Sequence, residues 1–341
     1  DKDCDECYPS IAMDGNEVII GVDNYLQQKS IIFMQYINGN FQEVTTFDVD
    51  HDIADVAISS GRAAVGSPSE RNSTGGAYIY EHGIDGGWTE AVHIAPDLLP
   101  NSKFGTDLDI DGDLMVIVPS GKVSNDAVES PVYIYRRIEN TWVEEKQINR
   151  RGSSVSIKGN SFALGYHSPM ERAVFIYTYA QSAESNEWTL IDELSNGDCD
   201  AGFGISVAFE QGRLLAGCDA ENLNTGAIYY FESSVSNQYS VVQKIISSDG
   251  RSRDNLGGSD QIATVTTASG SFMAAGTYRN KNGGVYIFKL DEQNNLWKEI
   301  SKLDSVASSK QFGDRVVMSG DKLIVSSACN VYAYTLEDCF E

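Results

Sequence analysis

The stretch FGTDLDIDGDLMVIV, residues 104–118, carries carboxylates at Asp107, Asp109, Asp111 and Asp113. It reads either as a calcium loop or as a strand that turns back on itself. The rest of the chain decides, because the phrase returns. FGISVAFEQGRLLAG (203–217) and FGDRVVMSGDKLIVS (312–326) repeat it almost in register. RGSSVSIKGNSFALG (151–165), ADVAISSGRAAVG (54–66), PSIAMDGNEVIIG (9–21) and ATVTTASGSFMAAG (263–276) repeat it without the Phe-Gly pair. Each copy is a short alternating apolar run, a turn and a second apolar run, which is the pattern of a β-hairpin.

The turn is the sharpest feature of the repeat. Gly15, Gly61, Gly112, Gly159, Gly212, Gly270 and Gly320 follow a small, polar or charged residue at successive spacings of 46, 51, 47, 53, 58 and 50. A two-residue hairpin needs positive φ, which glycine adopts without a Cβ clash. After each hairpin comes a run rich in Tyr, Ile, Val and Phe, such as GAYIYEH (76–82) and GVYIFKL (284–290), which reads as a third strand. A fourth strand opens with Phe41, Trp88, Trp142, Trp188, Tyr239 or Trp297, so all four tryptophans occupy one slot of the repeat. Aromatic residues at a fixed place in a repeat serve packing between units.

Seven four-stranded units predict an all-β, seven-bladed β-propeller of antiparallel blades, because a single sheet cannot bury both faces alone. A single domain is expected over 1–341, with blades at approximately 1–50, 51–101, 102–149, 150–200, 201–257, 258–309 and 310–341. The last blade is incomplete, since only EDCFE follows its third strand. The phrase at Phe203–Tyr230 resembles the FG-GAP repeat of integrin α-subunit propellers and related secreted proteins. That resemblance implies an extracellular recognition or adhesion module. It also implies where calcium would sit, in an expanded first hairpin of the form DxDxDGxxD. Asp107, Asp109, Asp111 and Gly112 match that form, but Met115 stands at the ninth position, where a carboxylate is required. The stretch therefore reads as a hairpin with an acidic first strand. No cofactor is expected; Asp55, Asp107 and Asp109 are weak candidates for a cation.

Composition narrows the partners. A net charge of −24 opposes binding to nucleic acid, whose phosphates demand a basic surface. No run of eighteen apolar residues is present to span a bilayer. The start at Asp1 suggests a processed N-terminus, and a membrane anchor could lie beyond Glu341. Six cysteines without a zinc spacing read as three disulfides formed in an oxidising compartment, extracellular or in the secretory lumen. Cys199 and Cys218 bracket one hairpin and should pair. Cys4 and Cys7 should pair with Cys329 and Cys339, connectivity open, and so close the ring. Asn72-Ser73-Thr74 is a glycosylation sequon.

The chemistry signals are thin. The four histidines are scattered, and no GxSxG, HExxH or phosphate-binding glycine loop occurs. The chain is expected not to be an enzyme. Recognition of a protein or glycan at the cell surface is expected through the loops between second and third strands, with Tyr25, Tyr166, His167, Arg172, Tyr278 and Arg279 as candidate contacts. The alternatives are a structural subunit of a cell-surface or luminal assembly and an enzyme of unrecognised mechanism.

Overall fold

The computed structural model describes residues 9–23, 29–83, 86–121, 130–168, 171–181, 186–196, 198–199, 201–210, 212–259, 261–277, 283–305, 311–328 and 330–340. The fold is an all-β, seven-bladed β-propeller. Six sheets have four antiparallel strands in chain order, spanning 10–48, 55–94, 107–148, 154–194, 203–245 and 262–304. The seventh, 316–335, has three among the described residues. Two compact units divide the chain, Asp1–Ile157 and Lys158–Glu341, with the division inside the first strand of blade 4.

The hairpin glycines do what their spacing predicts. All seven have positive φ, from 58° at Gly320 to 124° at Gly270. In blade 3 the hairpin pairs Asp111 with Leu114 across Gly112, so the acidic stretch is a strand, Asp107–Asp111, and not an ion loop.

The Phe-Gly pair has two separate jobs. Phe104 is fully buried and meets the third-strand rings of its own blade edge-on, 5.1 Å from Tyr133 and 6.4 Å from Tyr135 between centroids. Gly105 lies against the preceding blade: a Cβ there would come within 2.4 Å of Gly76 O and 3.1 Å of Gly66 Cα. In unit 2, Gly313 makes the same approach to Gly284 and Thr277. Blade 6 lacks Phe-Gly in sequence, yet Leu256-Gly257 fills the slot. Leu256 bridges Gly226 as Phe104 bridges Gly75, and Gly257 O stands 1.9 Å from a Cβ placed on Gly217.

The fourth-strand aromatics are buried, Trp88, Trp142, Trp188 and Trp297 all below 9% exposure. Every fourth strand also slips register three residues after its aromatic. The residue left over is Val44, Ala91, Glu145, Ile191, Val242 or Ile300. Such a bulge on an outer strand twists it away from edge-to-edge pairing with another molecule.

The aspartates of the opening stretch join one blade to the next. Asp55 Oδ2 accepts the N–H of Leu108 at 3.0 Å, and Asp107 Oδ1 accepts that of Val155 at 3.0 Å. Asp109 Oδ2 accepts the N–H of Ile157 at 2.7 Å. Among the described residues these N–H groups have no strand partner on that side, and a carboxylate acceptor makes the stronger, charge-assisted bond.

Cys199 and Cys218 form the expected disulfide, with Cα atoms 6.1 Å apart. Cys4, Cys7 and Cys329 lie outside the described residues. Cys339 is buried and makes no disulfide among the described residues.

Candidate functional site

The loops between second and third strands follow one design in blades 2 and 5. In blade 5, Glu221 starts a tight turn in which Asn222, Leu223 and Asn224 all have positive φ. The Thr225 hydroxyl donates to Asn222 O at 2.9 Å, and the Gly226 N–H to Glu221 O at 3.1 Å. Asparagine tolerates this backbone, but leucine does so at a cost. Leu223 nevertheless stands 78% exposed at the tip.

Glu221 braces that turn. It is buried, Lys244 donates to its Oε1, and Cys218 Sγ lies 3.6 Å from its Oε2. Lys244 sits on the fourth strand opposite Tyr229 of the third, its ammonium 5.6 Å from the ring centre. Ligand atoms of Cys199, Cys218 and Glu221 converge within 4.8 Å, but the sulfurs are joined to each other and offer no thiolate to a metal.

The arrangement recurs in blade 6. Tyr286 stands opposite Lys302, and both reach Asp249, at 2.5 Å and 2.7 Å. Hydrogen bonds from Lys302 and Tyr286 hold the Asp249 carboxyl below its usual range. Burial, helped by the bond to Asp249, pushes the Tyr286 phenol up to about 12. Next to Asp249, Ser248 gives both its N–H and its hydroxyl to Glu299, at 2.8 Å and 2.6 Å. An open cleft of about 820 Å³ is walled by Glu221, Thr225, Lys244, Ile246, Ser247 and Asp249.

Unit 1 carries the counterpart in blade 2. Glu70 accepts from the Tyr78 hydroxyl at 2.8 Å and meets His93 Nε2 at 2.9 Å. The Tyr78 ring is sandwiched between His51 and His93, at 3.8 Å and 4.1 Å and within 7° of parallel. An imidazole oriented by a carboxylate can take a proton from water. No serine or cysteine hydroxyl or thiol is hydrogen-bonded to His93 among the described residues.

The contacts expected from sequence are dispersed. Tyr25, Tyr278 and Arg279 lie outside the described residues. Tyr166 belongs to the second strand of blade 4 and is only 7% exposed, packed where Gly204 approaches its N–H. His167 pairs with Arg172 at the mouth of the same strand pair. Burial lowers the His167 pKa, with Asp219 opposing. Asn72 is exposed in the blade 2 turn. The carboxylates of Asp55, Asp107 and Asp109 are engaged by backbone N–H groups. The braces Glu70, Glu221 and Asp249 escape a reading of the sequence, because their partners lie up to 53 residues away.

No family model and no curated protein matches the sequence. Similar solved structures are numerous, and the three that follow are distant in sequence. A protein from Lactobacillus plantarum is 11% identical with a TM-score of 0.63, over 88% of this chain and 85% of its own. The periplasmic gluconolactonase of Pseudomonas aeruginosa is 11% identical with a TM-score of 0.58, over 96% and 88%. The WD40 repeats of RRP9 are 13% identical with a TM-score of 0.58, over 94% and 90%. At such identity the likeness speaks for the fold alone. One expectation is corrected: the sequence predicts no enzyme, and a gluconolactonase among the structural neighbours takes away the ground for that prediction. Absence of a sequence signature excludes little in a propeller, where site residues come from loops of several blades and leave no contiguous motif.

Proposed function

We propose that this chain is a recognition propeller that engages a polar partner through the blade 5–6 cleft and the turn above it. The observation that supports this is the preformed wall of the cleft. Glu221–Lys244 and Asp249–Lys302 are fixed by tyrosines, and the disulfide anchors the turn from behind. Loops so braced lose little freedom on binding. Ile246, 59% exposed, adds apolar contact in its wall, and Leu223, 78% exposed, adds it at the tip of the turn. The disulfide favours an oxidising compartment, extracellular or secretory, in which Asn72 would be glycosylated. An FG-GAP, integrin-like adhesion role fits the docking of the Phe-Gly pairs between blades. The test is cross-linking of the purified protein to cell-surface extract of its source, against a Leu223→Asp, Lys244→Glu variant. Loss of a captured partner is expected; identical capture by both proteins refutes the reading.

A second reading is hydrolysis of a sugar lactone, favoured by the Glu70–His93 pair and by the activity named for the Pseudomonas neighbour. There His93 would draw a proton from the attacking water. Glucono-δ-lactone opening faster than in buffer, and lost in His93→Gln, is the expected result. A rate equal to buffer removes this reading.

A further inference from the structure

The disulfide of blade 5 sits among further donor atoms. Cys218 ends the second strand, in register with Phe203 on one side and Ala227 on the other, so its backbone is held from both sides. Cys199, Cys218 and Glu221 are 4%, 0% and 7% exposed, and their ligand atoms lie within 4.8 Å of one another. The Ala201 carbonyl oxygen faces both sulfurs, 3.2 Å from Cys199 and 3.3 Å from Cys218.

Part of this cluster is unsatisfied while the sulfurs are joined, because a disulfide sulfur carries no hydrogen. The Ala201 oxygen receives none from either, and no backbone N–H reaches it among the described residues. Lys244 donates to Glu221 Oε1, whereas Oε2 is aimed at Cys218 Sγ, 3.6 Å away. A buried carboxylate oxygen without a donor is costly unless another group completes it.

We infer that, once this bond is reduced, Cys199, Cys218 and Glu221 bind a thiophilic divalent cation such as zinc, with the Ala201 carbonyl or a water in the fourth place. A dithiol reductant opens the S–S bond, giving up two electrons and two protons and closing its own disulfide. The two thiols then lose their protons to water as the cation binds. Zinc takes four ligands, and its bonds of about 2.3 Å to sulfur set a tetrahedral pair of sulfurs about 3.8 Å apart. Side chains whose Cα atoms are 6.1 Å apart reach that separation by rotation. Two thiolates and the Glu221 carboxylate are then matched in charge by the cation and Lys244, as buried ions require. Calcium and magnesium take oxygen ligands and do not suit two sulfurs. The cation would hold Glu221, and with it the turn at 222–224, as the disulfide does in the oxidised chain. Neither reading of the function above is needed for this step.

The experiment titrates the full chain with cobalt(II) and then zinc, after reduction by a phosphine that is removed without air. A sulfur-to-cobalt charge-transfer band is expected in the reduced protein and not in the oxidised one. Cys4 and Cys7 also become thiols on reduction, so variants apportion the metal. Cys199→Ser, Cys218→Ser should bind one equivalent fewer than wild type, and Cys4→Ser, Cys7→Ser should keep that equivalent. Glu221→Gln should weaken zinc at least about tenfold, a loss seen even for groups that only support a ligand. Zinc should also slow hydrogen exchange at Gly226 of the reduced wild type, a readout that needs no variant to fold. No band on reduction, equal stoichiometry in wild type and Cys199→Ser, Cys218→Ser, equal zinc affinity in Glu221→Gln, or unchanged exchange at Gly226 overturns the inference.

Discussion

Asp107 of blade 3 accepts the backbone N–H of Val155, 48 residues further on and in the next blade, through a carboxylate that is 8% exposed. Asp55 does the same for Leu108, one blade earlier. The carboxylates that resemble half a calcium loop thus serve as fasteners between successive first strands. Their alternation follows from the strand period: residues two apart share a face, and here that face meets the neighbouring strand.

Asp109 is the fastener with a pH signature. Burial, aided by repulsion from Asp55 and Asp111, raises its pKa to about 7 against the N–H bonds from Ile157 and Ile110. Below about pH 4 the group is protonated in folded and unfolded chains alike and costs nothing. As pH rises toward 7 the unfolded chain releases the proton more readily, so stability falls, and the whole cost is present above pH 7. Every tenfold gain in proton affinity on folding is worth about 1.4 kcal/mol. Asp109→Asn should therefore stabilise the protein at pH 8 and flatten the change between pH 5 and pH 8. Urea midpoints at the two pH values check this; a variant less stable than wild type at pH 8 contradicts it.

What the sequence exposes and what it hides follows from the range of each interaction. Hairpin glycines are legible because a two-residue turn is a local demand, and all seven meet it with positive φ. The tryptophan slot is legible because burial of a large ring repeats with the unit. Leu256-Gly257 is hidden because a leucine fills the Phe104 position without an aromatic signature. The bulges at Val44 or Ile300 are hidden because a single unpaired residue leaves the alternation around it intact. The braces Glu70 and Glu221 are invisible for a different reason: one carboxylate among 49 acidic residues carries no mark of the tyrosine and base it will meet.

Glycines at blade contacts and glycines at hairpins should respond differently to alanine. A Cβ on Gly66 would stand 2.1 Å from the carbonyl oxygen of Gly105, with backbone on both sides. Gly15 has positive φ and nothing within 4 Å. Gly66→Ala should cost about 2–4 kcal/mol by forcing the blades apart, and Gly15→Ala about 1 kcal/mol of backbone strain. Denaturant midpoints rank them; equal losses would mean that blades 2 and 3 do not meet through Gly66 and Gly105.

Removing the disulfide as Cys199→Ser with Cys218→Ser releases a loop whose ends are 19 residues apart. The chain-entropy model predicts a loss of about 3 kcal/mol. Because Cys218 also touches Glu221, the turn at 221–224 should loosen first. Hydrogen exchange at Gly226, whose N–H closes that turn, should accelerate more than exchange at Leu215 in the same blade. Uniform acceleration across blade 5 would show that the bond supports the blade and not the turn.

Glu70 in blade 2 offers the cleanest test of the bracing principle, since its contacts end in one trypsin site. Arg71 donates to Glu70 at 3.3 Å and to the Gly75 carbonyl within the turn that follows the second strand, and to the Pro96 carbonyl just past the fourth strand. Glu70→Ala would leave the half-buried Tyr78 hydroxyl and the exposed His93 without their shared acceptor, at a cost of about 1–2 kcal/mol. The turn would then open before the blade does, because the strands on either side keep their full ladders. Cleavage after Arg71 should rise at least tenfold while the unfolding transition stays cooperative. Glu70→Gln, which keeps an acceptor for Tyr78, should fall between wild type and alanine. Trypsin resistance equal to wild type in Glu70→Ala would mean that the positive-φ run from Arg71 to Ser73 holds itself, and that the carboxylate is not its anchor.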